Sequence, residues 1–304
     1  MTDAVLIGLD WGTSSARAFR IGNGGEIIAT RHADLGLARL GGRTFAAACD
    51  ELLGDWRDDP LPRIAAGMVG SRNGWIEVPY VALPAMLTTL AAGIRRTPGG
   101  ELAIVPGVIG RDVHGTPDVM RGEETELVGA QDGAAGATLF VMPGTHAKWV
   151  DARDGGITEF ATFMTGEIYA VMLEHSILGR LAARSGARRE PAFVRGVDHG
   201  LGEGALAHDL FAARTLVLAG EMGQDDVADY LSGLLIGREV RDGLRWADAR
   251  GARHADVALV GADALADRYA VALARGGVVS RRTQGAAARG LWRIARAASM
   301  ISRN

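Results

Sequence analysis

The 304-residue chain contains very little cysteine and lysine, with one residue of each, Cys49 and Lys148. A single cysteine excludes an intrachain disulfide framework and a cysteine-cluster zinc site. No run of the sequence approaches the roughly 18 consecutive apolar residues of a membrane span. The formal net charge is −3, from 33 basic and 36 acidic residues, so no strong field favours nucleic acid or an anionic membrane as a partner. The first residues lack a secretory-signal pattern, which predicts a cytoplasmic protein.

Several nucleotide-binding and catalytic motifs are also missing. A Walker A loop needs Gly-Lys-Ser or Gly-Lys-Thr, and Lys148 is followed by Trp149. The sequence contains neither His-Arg-Asp nor Asp-Phe-Gly, the motifs of a protein kinase, and neither His-Glu-x-x-His nor Gly-x-Ser-x-Gly. The glycines at 200, 202 and 204 follow no convincing strand, so we interpret them as the start of a helix rather than as a dinucleotide-binding loop.

What is present is a strand pattern that occurs twice. The length predicts two domains, and a hydrophobic content of 48% is typical of globular proteins. Strands separated by turn residues are predicted at 5–9, 16–21 and 26–30, and again at 139–142, 146–151 and 157–162. The Gly-Thr pairs at 12–13 and 144–145 are 132 residues apart, which indicates a duplicated domain.

The remaining segments alternate between strand and helix patterns. Strands are predicted at 64–69, 102–105 and 257–260. Helices are predicted at 43–54, 84–96, 122–131, 166–183, 203–219, 225–240, 262–275 and 283–301. This order predicts an α/β protein with a sheet in each half, and the Asp-Gly-Ala-Ala-Gly stretch at 132–136 is the expected hinge.

Each repeat carries a turn suited to binding phosphate. Glycine lets the backbone approach a phosphate, and turn N–H groups and hydroxyls can donate to its oxygens. Asp10, at the end of the first strand, could hold Mg²⁺ or could simply cap the turn. The candidate phosphate ligands are Gly12, Thr13 and Ser14 in the first repeat and Gly144, Thr145, His146 and Lys148 in the second.

These paired turns resemble the two phosphate motifs of the sugar-kinase, actin and heat-shock-chaperone ATPase superfamily. Further segments make the chain similar to the 2-dehydro-3-deoxygalactonokinase family in particular. They are Met-Val-Gly-Ser-Arg-Asn-Gly-Trp at 68–75, Pro-Asp-Val-Met-Arg-Gly-Glu-Glu-Thr at 117–125, Met-Thr-Gly-Glu at 164–167, His-Ser-Ile-Leu-Gly at 175–179 and Leu-Ser-Gly-Leu-Leu-Ile-Gly at 231–237. The resemblance implies an α/β fold of two actin-like (ribonuclease H-like) ATPase domains, each with a mixed sheet flanked by helices, around a central cleft.

The resemblance also implies a reaction. ATP, with Mg²⁺, would phosphorylate the 6-hydroxyl of 2-dehydro-3-deoxy-D-galactonate, and a carboxylate would accept the hydroxyl proton. Glu123 aligns with the base of related carbohydrate kinases, but Glu124 stays open as an alternative, and Asp118 is a weaker candidate. Acids at a helix N-terminus can also be there only because the helix dipole favours them.

A sugar acid needs a cation for its carboxylate, and the arginine fork suits two carboxylate oxygens. Within the family-like segments the candidates are Arg72 and Arg121, with Ser71, Asn73 and Trp75 as contacts for hydroxyls and the sugar face. Gly261, after the strand at 257–260, resembles the adenosine-binding turn of the superfamily, although an ordinary strand-to-helix turn would look the same.

We therefore expect a sugar-acid and catalytic-base domain at 1–132, together with a C-terminal helix at about 283–304, and an ATP-binding domain at 137–282. Alternatives are a kinase for a related acid such as the gluco epimer, and a noncatalytic nucleotide or sugar sensor on the same fold. A ribokinase-type kinase, suggested by Gly-Ala-Asp at 261–263, would leave the paired turns without a purpose. The sequence does not determine the oligomeric state, although a homodimer is common among such enzymes.

Overall fold

The computed structural model describes residues 3–131, 138–182, 188–252, 256–283 and 286–302. The chain divides into two compact units. Unit 1 comprises Met1–Gly136, Ala152–Phe160 and Gln284–Asn304, and unit 2 comprises Ala137–Asp151 and Ala161–Thr283. The hinge predicted at 132–136 lies outside the described residues. No helix of the described part of the chain is long and apolar enough to span a membrane.

Strands and helices alternate along the chain. The strands are β1 (Ala4–Trp11), β2 (Ala16–Gly22), β3 (Ile27–Ala33), β4 (Arg63–Gly67), β5 (Val81–Ala82), β6 (Arg95–Arg96), β7 (Ala103–Ile104), β8 (Val108–Arg111), β9 (Pro117–Met120), β10 (Thr138–Met142), β11 (Ala147–Arg153), β12 (Gly156–Phe163), β13 (Asp256–Val260) and β14 (Ser280–Thr283). The helices are α1 (Phe45–Leu53), α2 (Leu87–Gly93), α3 (Glu123–Ala130), α4 (Thr165–His175), α5 (Glu190–Leu201), α6 (Leu206–Asp209), α7 (Ala212–Leu218), α8 (Val227–Asp248), α9 (Asp263–Arg275) and α10 (Ala286–Ala297).

Unit 1 is built on a mixed six-stranded sheet in the order β3-β2-β1-β4-β7-β6. The central strand β1 pairs antiparallel with β2 and parallel with β4. Ile7, Leu9 and Trp11 of β1 pack into a core shared with α1. On the opposite face, a Cβ at Gly8 would lie 2.9 Å from the Leu291 side chain of α10. Both faces of β1 are therefore covered, which explains its nearly continuous apolar sequence.

Unit 2 is built on a five-stranded sheet in the order β12-β11-β10-β13-β14. Strand β13 runs parallel to both of its neighbours, β10 and β14. The hydrophobic core of unit 2 contains Leu139, Trp149, Val240 and Tyr269. Residues 152–160, at the end of the β11–β12 hairpin, group with unit 1, where Ala85 and Ile157 exchange two backbone hydrogen bonds of 2.9 Å.

The helix pair α5 and α8 corrects one expectation from the sequence. The glycines at 200–204 do not start a helix, because α5 ends at Leu201 and the chain leaves it through Gly202. Helix α5 itself is absent from the predicted helices. Glycines of both helices serve close packing: a Cβ at Gly196 of α5 would lie 2.1 Å from the Tyr230 carbonyl oxygen of α8, and one at Gly233 of α8 would lie 2.0 Å from the Phe193 carbonyl oxygen of α5.

Most predicted elements are present, and the mixed α/β class is confirmed. Both three-stranded segments of the repeat form in the order expected, β1–β3 and β10–β12. The strand predicted at 64–69 ends at Gly67, and a single 3₁₀ turn, Met68–Gly70, follows it. The helix predicted at 203–219 is divided into α6 and α7. The small sheet β5-β8-β9 in unit 1 was not predicted, because its short strands carry no clear periodicity.

Candidate active site

The first phosphate-type turn lies at the carboxyl end of β1, in unit 1. Gly12 N–H donates to the Ser15 carbonyl at 2.9 Å, and Thr13 and Ser14 are exposed at the tip. The turn is held from behind, because the backbone carbonyls of Gly12 and Thr13 accept hydrogen bonds from residues 37 and 38. Its N–H groups and hydroxyls are therefore presented on a fixed backbone, which is what a phosphate ligand requires.

Asp10 does not stand alone beside this turn. The β1–β2 register places it opposite Arg17, whose Nε and Nη2 atoms donate to Asp10 Oδ2 at 3.1 and 2.5 Å. Arg17 Nη2 also lies 3.8 Å from Glu126 Oε1 on α3. Burial, followed by the nearby Asp10 carboxylate, raises the pKa of Glu126 to about 7. Neither Arg17 nor Glu126 was among the predicted site residues, although the hairpin register would have revealed Arg17.

The predicted bases lie at the start of α3, against the end of β4. Gly122 has a positive φ of 111°, and a Cβ there would lie 3.3 Å from Gly67 Cα. Glu123 Oε2 accepts from Arg121 N–H at 3.0 Å. Glu124 is 0% exposed; its Oε2 accepts from Gly122 N–H at 2.6 Å and its Oε1 from the Thr125 hydroxyl at 3.1 Å. Burial, and then the Glu123 charge, raise the pKa of Glu124 to about 8.

These two glutamates differ in what they can do. Glu124 is fully buried and both of its oxygens accept hydrogen bonds inside the protein, so it cannot reach a substrate hydroxyl without a rearrangement. Glu123 is only partly buried at the same helix start. The weaker candidate, Asp118, lies in β9 opposite Gly110, and its carboxylate accepts from Val119 N–H at 2.8 Å.

The predicted sugar-acid residues lie in the segment after β4, also in unit 1. The side chain of Arg72 is 85% exposed, and its Nε lies 3.5 Å from Glu77 Oε1. Asn73 is exposed as well, whereas the Ser71 hydroxyl donates to the Met68 carbonyl at 2.8 Å. Trp75 stacks on Phe45 with ring centroids 6.3 Å apart, so at least one face of its ring serves packing.

Arg121 connects this segment to the start of α3. Its Nη2 donates to the Val78 carbonyl at 2.7 Å, and its guanidinium lies over the Tyr80 ring at 4.4 Å. The Nε and Nη1 atoms are buried and have no hydrogen-bond partner among the described residues. A Cβ at Gly70 would lie 2.9 Å from Nη1. In this arrangement Arg121 positions the loop around Gly70, and a substrate could reach its two unpaired nitrogens only after the loop moved.

The second phosphate-type turn lies between β10 and β11, in unit 2. A Cβ at Gly144 would meet no atom of the described residues within 4 Å, so they leave open space beside the turn. The start of α4 supports the turn: Glu167 N–H donates to the Thr145 carbonyl at 3.0 Å, and a Cβ at Gly166 would lie 2.5 Å from the Gly144 carbonyl oxygen. The imidazole of His146 forms a short contact with the Glu167 carboxylate.

Two further candidates belong to the same unit. Gly261 follows β13 with a φ of 140°, and a Cβ there would lie 3.5 Å from the Pro143 carbonyl oxygen. Because β10 and β13 are parallel, the Gly144 turn and Gly261 lie at the same edge of the sheet. Lys148, on β11, is only 5% exposed, and its Nζ donates to the Thr162 hydroxyl at 2.8 Å.

The candidates thus form two groups, one in each unit. In unit 1 the structure brings together Asp10, the Gly12–Ser14 turn, the start of α3 and the segment after β4. In unit 2 it brings together the Gly144 turn, the start of α4 and Gly261. Among the described residues, no three His, Cys, Asp or Glu side chains form a metal-binding group. A magnesium ion bound chiefly by phosphates and water needs only one or two carboxylates, so Asp10 still fits that role.

Comparisons with known proteins assign the chain to a family. The family model described as 2-keto-3-deoxy-galactonokinase matches residues 10–294. The 2-dehydro-3-deoxygalactonokinase of Escherichia coli (strain K12) is 37% identical over 268 residues, which cover 88% of each chain. A crystal structure of a protein assigned the same name, from Sinorhizobium meliloti, has a TM-score of 0.86 and 36% identity over 96% of this chain and 98% of the other.

A more distant solved structure shows how widely the fold is shared. The activator of the 2-hydroxyisocaproyl-CoA dehydratase of Clostridium difficile, solved with bound ADPNP, has a TM-score of 0.51 at 13% identity and covers 97% of this chain and 93% of its own. The expected two-domain α/β fold is therefore confirmed. The matches span both phosphate-type turns and the start of α3. The chain belongs to the 2-keto-3-deoxy-galactonokinase family.

Proposed function

We propose that this protein is an ATP-dependent kinase that phosphorylates the 6-hydroxyl of 2-dehydro-3-deoxy-D-galactonate in galactonate catabolism. The observation that carries the proposal is the family match over residues 10–294, which includes every candidate residue discussed above. Relatives named for this activity are 36–37% identical over most of the chain. A cytoplasmic location and a homodimeric state remain predictions from the sequence and its resemblance to the family.

Glu123 is the group that accepts the proton from the sugar hydroxyl. The main-chain N–H of Arg121 orients its carboxylate. Glu124 holds the start of the helix, because its two oxygens accept from Gly122 N–H and the Thr125 hydroxyl inside the protein. A general base must come within hydrogen-bond reach of the proton it removes, and the more exposed glutamate meets that condition better.

The turns supply the nucleotide contacts. N–H groups and hydroxyls of Gly12, Thr13 and Ser14 donate to phosphate oxygens in unit 1, and Gly144, Thr145 and His146 do so in unit 2. Asp10 would hold Mg²⁺, and the ion would supply positive charge that neutralises the phosphates. Arg17 would then exchange its pairing with Asp10 for another anion. Lys148 contributes positive charge near the second turn, and Gly261 leaves room for the adenosine.

The sugar acid binds beside the segment after β4. Arg72 is the better carboxylate anchor, since its guanidinium is 85% exposed and its contact with Glu77 is long, at 3.5 Å. Ser71 and Asn73 lie next to it, and Trp75 and Arg121 complete the predicted set. A charged hydrogen bond of this kind contributes about 1.5–3 kcal/mol, which corresponds to roughly a tenfold to hundredfold change in affinity.

A panel of sugar acids in an ATP-coupled assay tests the proposal. We expect turnover with 2-dehydro-3-deoxygalactonate, and preference for the gluco epimer would reassign the substrate. Arg72→Ala should raise the KM for the acid about tenfold or more and leave the KM for ATP unchanged. Arg57→Ala is the matched control, because Arg57 is an exposed arginine of unit 1 with a similarly long contact, 3.8 Å to Asp58. ATP binding without turnover of any acid would favour a nucleotide sensor and refute the proposal.

A further inference from the structure

Glu239 is a buried carboxyl in the middle of α8 that the proposed reaction does not use. It is 2% exposed. Its Oε1 accepts from Trp149 Nε1–H at 2.8 Å, its Oε2 accepts from the Tyr269 hydroxyl at 2.7 Å, and the Thr165 side chain is a third hydrogen-bond partner. Removing a buried carboxyl with this many partners lowers stability, because each donor left without an acceptor remains buried and desolvated.

The three partners lie on three different elements, and each element is joined to the candidate nucleotide site. Trp149 follows Lys148 on β11. Thr165 is the first residue of α4, and the next two residues contact the phosphate-type turn through the close approach of Gly166 and the hydrogen bond from Glu167 N–H. Tyr269 lies on α9, the helix that begins two residues after Gly261.

Packing around this carboxyl is tight enough to transmit a displacement. The Trp149 ring lies against α8, where a Cβ at Gly243 would be 2.4 Å from two ring atoms. Its other contacts include Phe163, at 6.3 Å between ring centroids, just before the start of α4. Trp149 and Tyr269 are both fully buried. Because the interior is close-packed, neither ring can shift without displacing the side chains around it.

We propose that Glu239 is a positioning residue for nucleotide binding: it holds the start of α4, β11 and α9 together so that the Gly144–Thr145 turn and Gly261 keep the geometry that ATP requires. The inference rests on the proposed function only in assigning the nucleotide to this edge of unit 2. It requires no direct contact between Glu239 and the ligand.

The test compares two changes at Glu239. Glu239→Leu removes both acceptor oxygens and leaves the Trp149 N–H and Tyr269 hydroxyl unpaired. Glu239→Gln keeps the shape of the side chain and one of its two acceptor oxygens. We expect Leu to raise the calorimetric Kd for ATP, measured without sugar acid, about tenfold or more. The KM for ATP should rise in parallel, while the KM for the acid stays within twofold. Gln should restore most of the affinity.

Controls separate positioning from general loss of stability. Asp229→Asn alters another buried carboxylate of α8, which binds Arg268 and the Arg189 N–H, and should lower the Tm without changing the Kd for ATP. If Glu239→Leu does not fold, Thr165→Val removes one hydroxyl at constant shape and should raise the Kd several-fold, with Thr165→Ser restoring it.

The outcomes distinguish this inference from the proposed function. A folded Glu239→Leu or Thr165→Val variant with wild-type affinity for ATP would overturn the positioning role, whatever the enzyme phosphorylates. Equal losses of ATP and sugar-acid affinity would also overturn it. Wild-type protein that binds ATP but turns over no sugar acid would refute only the proposed reaction. Wild-type protein that does not bind ATP would refute both.

Discussion

The two strand-turn-strand repeats occupy equivalent places in the two units, and the equivalence extends beyond the residues that first indicated it. In unit 1, Trp11 at the end of β1 pairs with Gly67 at the end of the parallel strand β4. In unit 2, continuing the β10–β13 register by two residues pairs Pro143 with Gly261. Both glycines have positive φ values, 96° and 140°. A glycine beside the turn is therefore part of the repeated architecture.

The two turns differ in what surrounds them. At the offset of 132 residues, Asp10 corresponds to Met142 and Arg17 to Trp149. Unit 1 has charged groups around its turn, namely the Asp10–Arg17 pair and the nearby Glu126. Unit 2 supports its turn with the start of α4, including the exposed His146–Glu167 pair, and, further inside, with Glu239. The comparison suggests that unit 1 carries the reaction chemistry and that unit 2 holds the nucleotide.

The largest expected effect follows from that division. Glu123→Gln keeps the hydrogen bond from Arg121 N–H but removes the proton acceptor, so we expect kcat to fall about 10²–10⁴-fold with an unchanged Kd for ATP. Rapid-quench or coupled assays measure the first and calorimetry the second. Glu167→Gln is the matched control, since Glu167 is also an acid in the first turn of its helix. An unchanged kcat in Glu123→Gln would place the base elsewhere.

The second prediction concerns the buried acid of unit 1. The pKa of Glu124 rises from 4.5 to about 8 on folding, so the folded protein retains a proton that the unfolded chain releases. Its contribution to stability is complete below about pH 4.5, declines as the pH rises towards about 8, and is constant above that. Glu124→Gln cannot lose a proton, and its Tm should therefore fall less steeply over this range than the Tm of the wild type.

Thermal unfolding from pH 4.5 to 8.5 measures the difference between the two proteins. Glu77→Gln, at an exposed position of the same unit, should follow the wild-type profile. Parallel profiles for the wild type and Glu124→Gln would mean that folding does not raise the pKa of Glu124. They would also weaken the argument that Glu123 rather than Glu124 is the base.

How much of this comparison could be predicted from the sequence depends on the distance between the partners. The turns and their flanking strands are local, and the offset of 132 residues revealed both. The equivalence of Gly67 and Gly261 was not predicted, because it depends on which later strand pairs with β1 or β10, and tertiary packing decides that pairing. Helix α5 was missed because its glycines weaken a helical pattern that contact with α8 stabilises.

The site shows the same limit. Glu123 and the turn residues lie in recognisable segments, and their roles remain predictions. The pairing of Asp10 with Arg17 could have been read from the hairpin register. Glu239 could not, because its partners are 30, 74 and 90 positions away along the chain and nothing local to α8 indicates them.

The two repeated glycines provide the third prediction. A Cβ at Gly67 would lie 2.5 Å from the Trp11 carbonyl oxygen, whereas one at Gly261 would have ordinary contacts of 3.5 Å or more. Gly67→Ala should therefore lower the free energy of unfolding by about 1–3 kcal/mol more than Gly261→Ala, since backbone must move in the first case only. Denaturant unfolding measures this. Equal losses would show that positive φ alone, which both positions share, sets the cost.

The smallest expected effect tests the support of the second turn. His146 and Glu167 form a largely exposed pair, and such pairs contribute about 0.2–1 kcal/mol to stability. Glu167→Gln should therefore leave the Tm nearly unchanged and raise the KM for ATP only a few-fold, because Glu167 N–H still donates to the Thr145 carbonyl. A fall in kcat as large as that of Glu123→Gln would contradict the division of roles between the units, since it would place reaction chemistry beside the turn of unit 2.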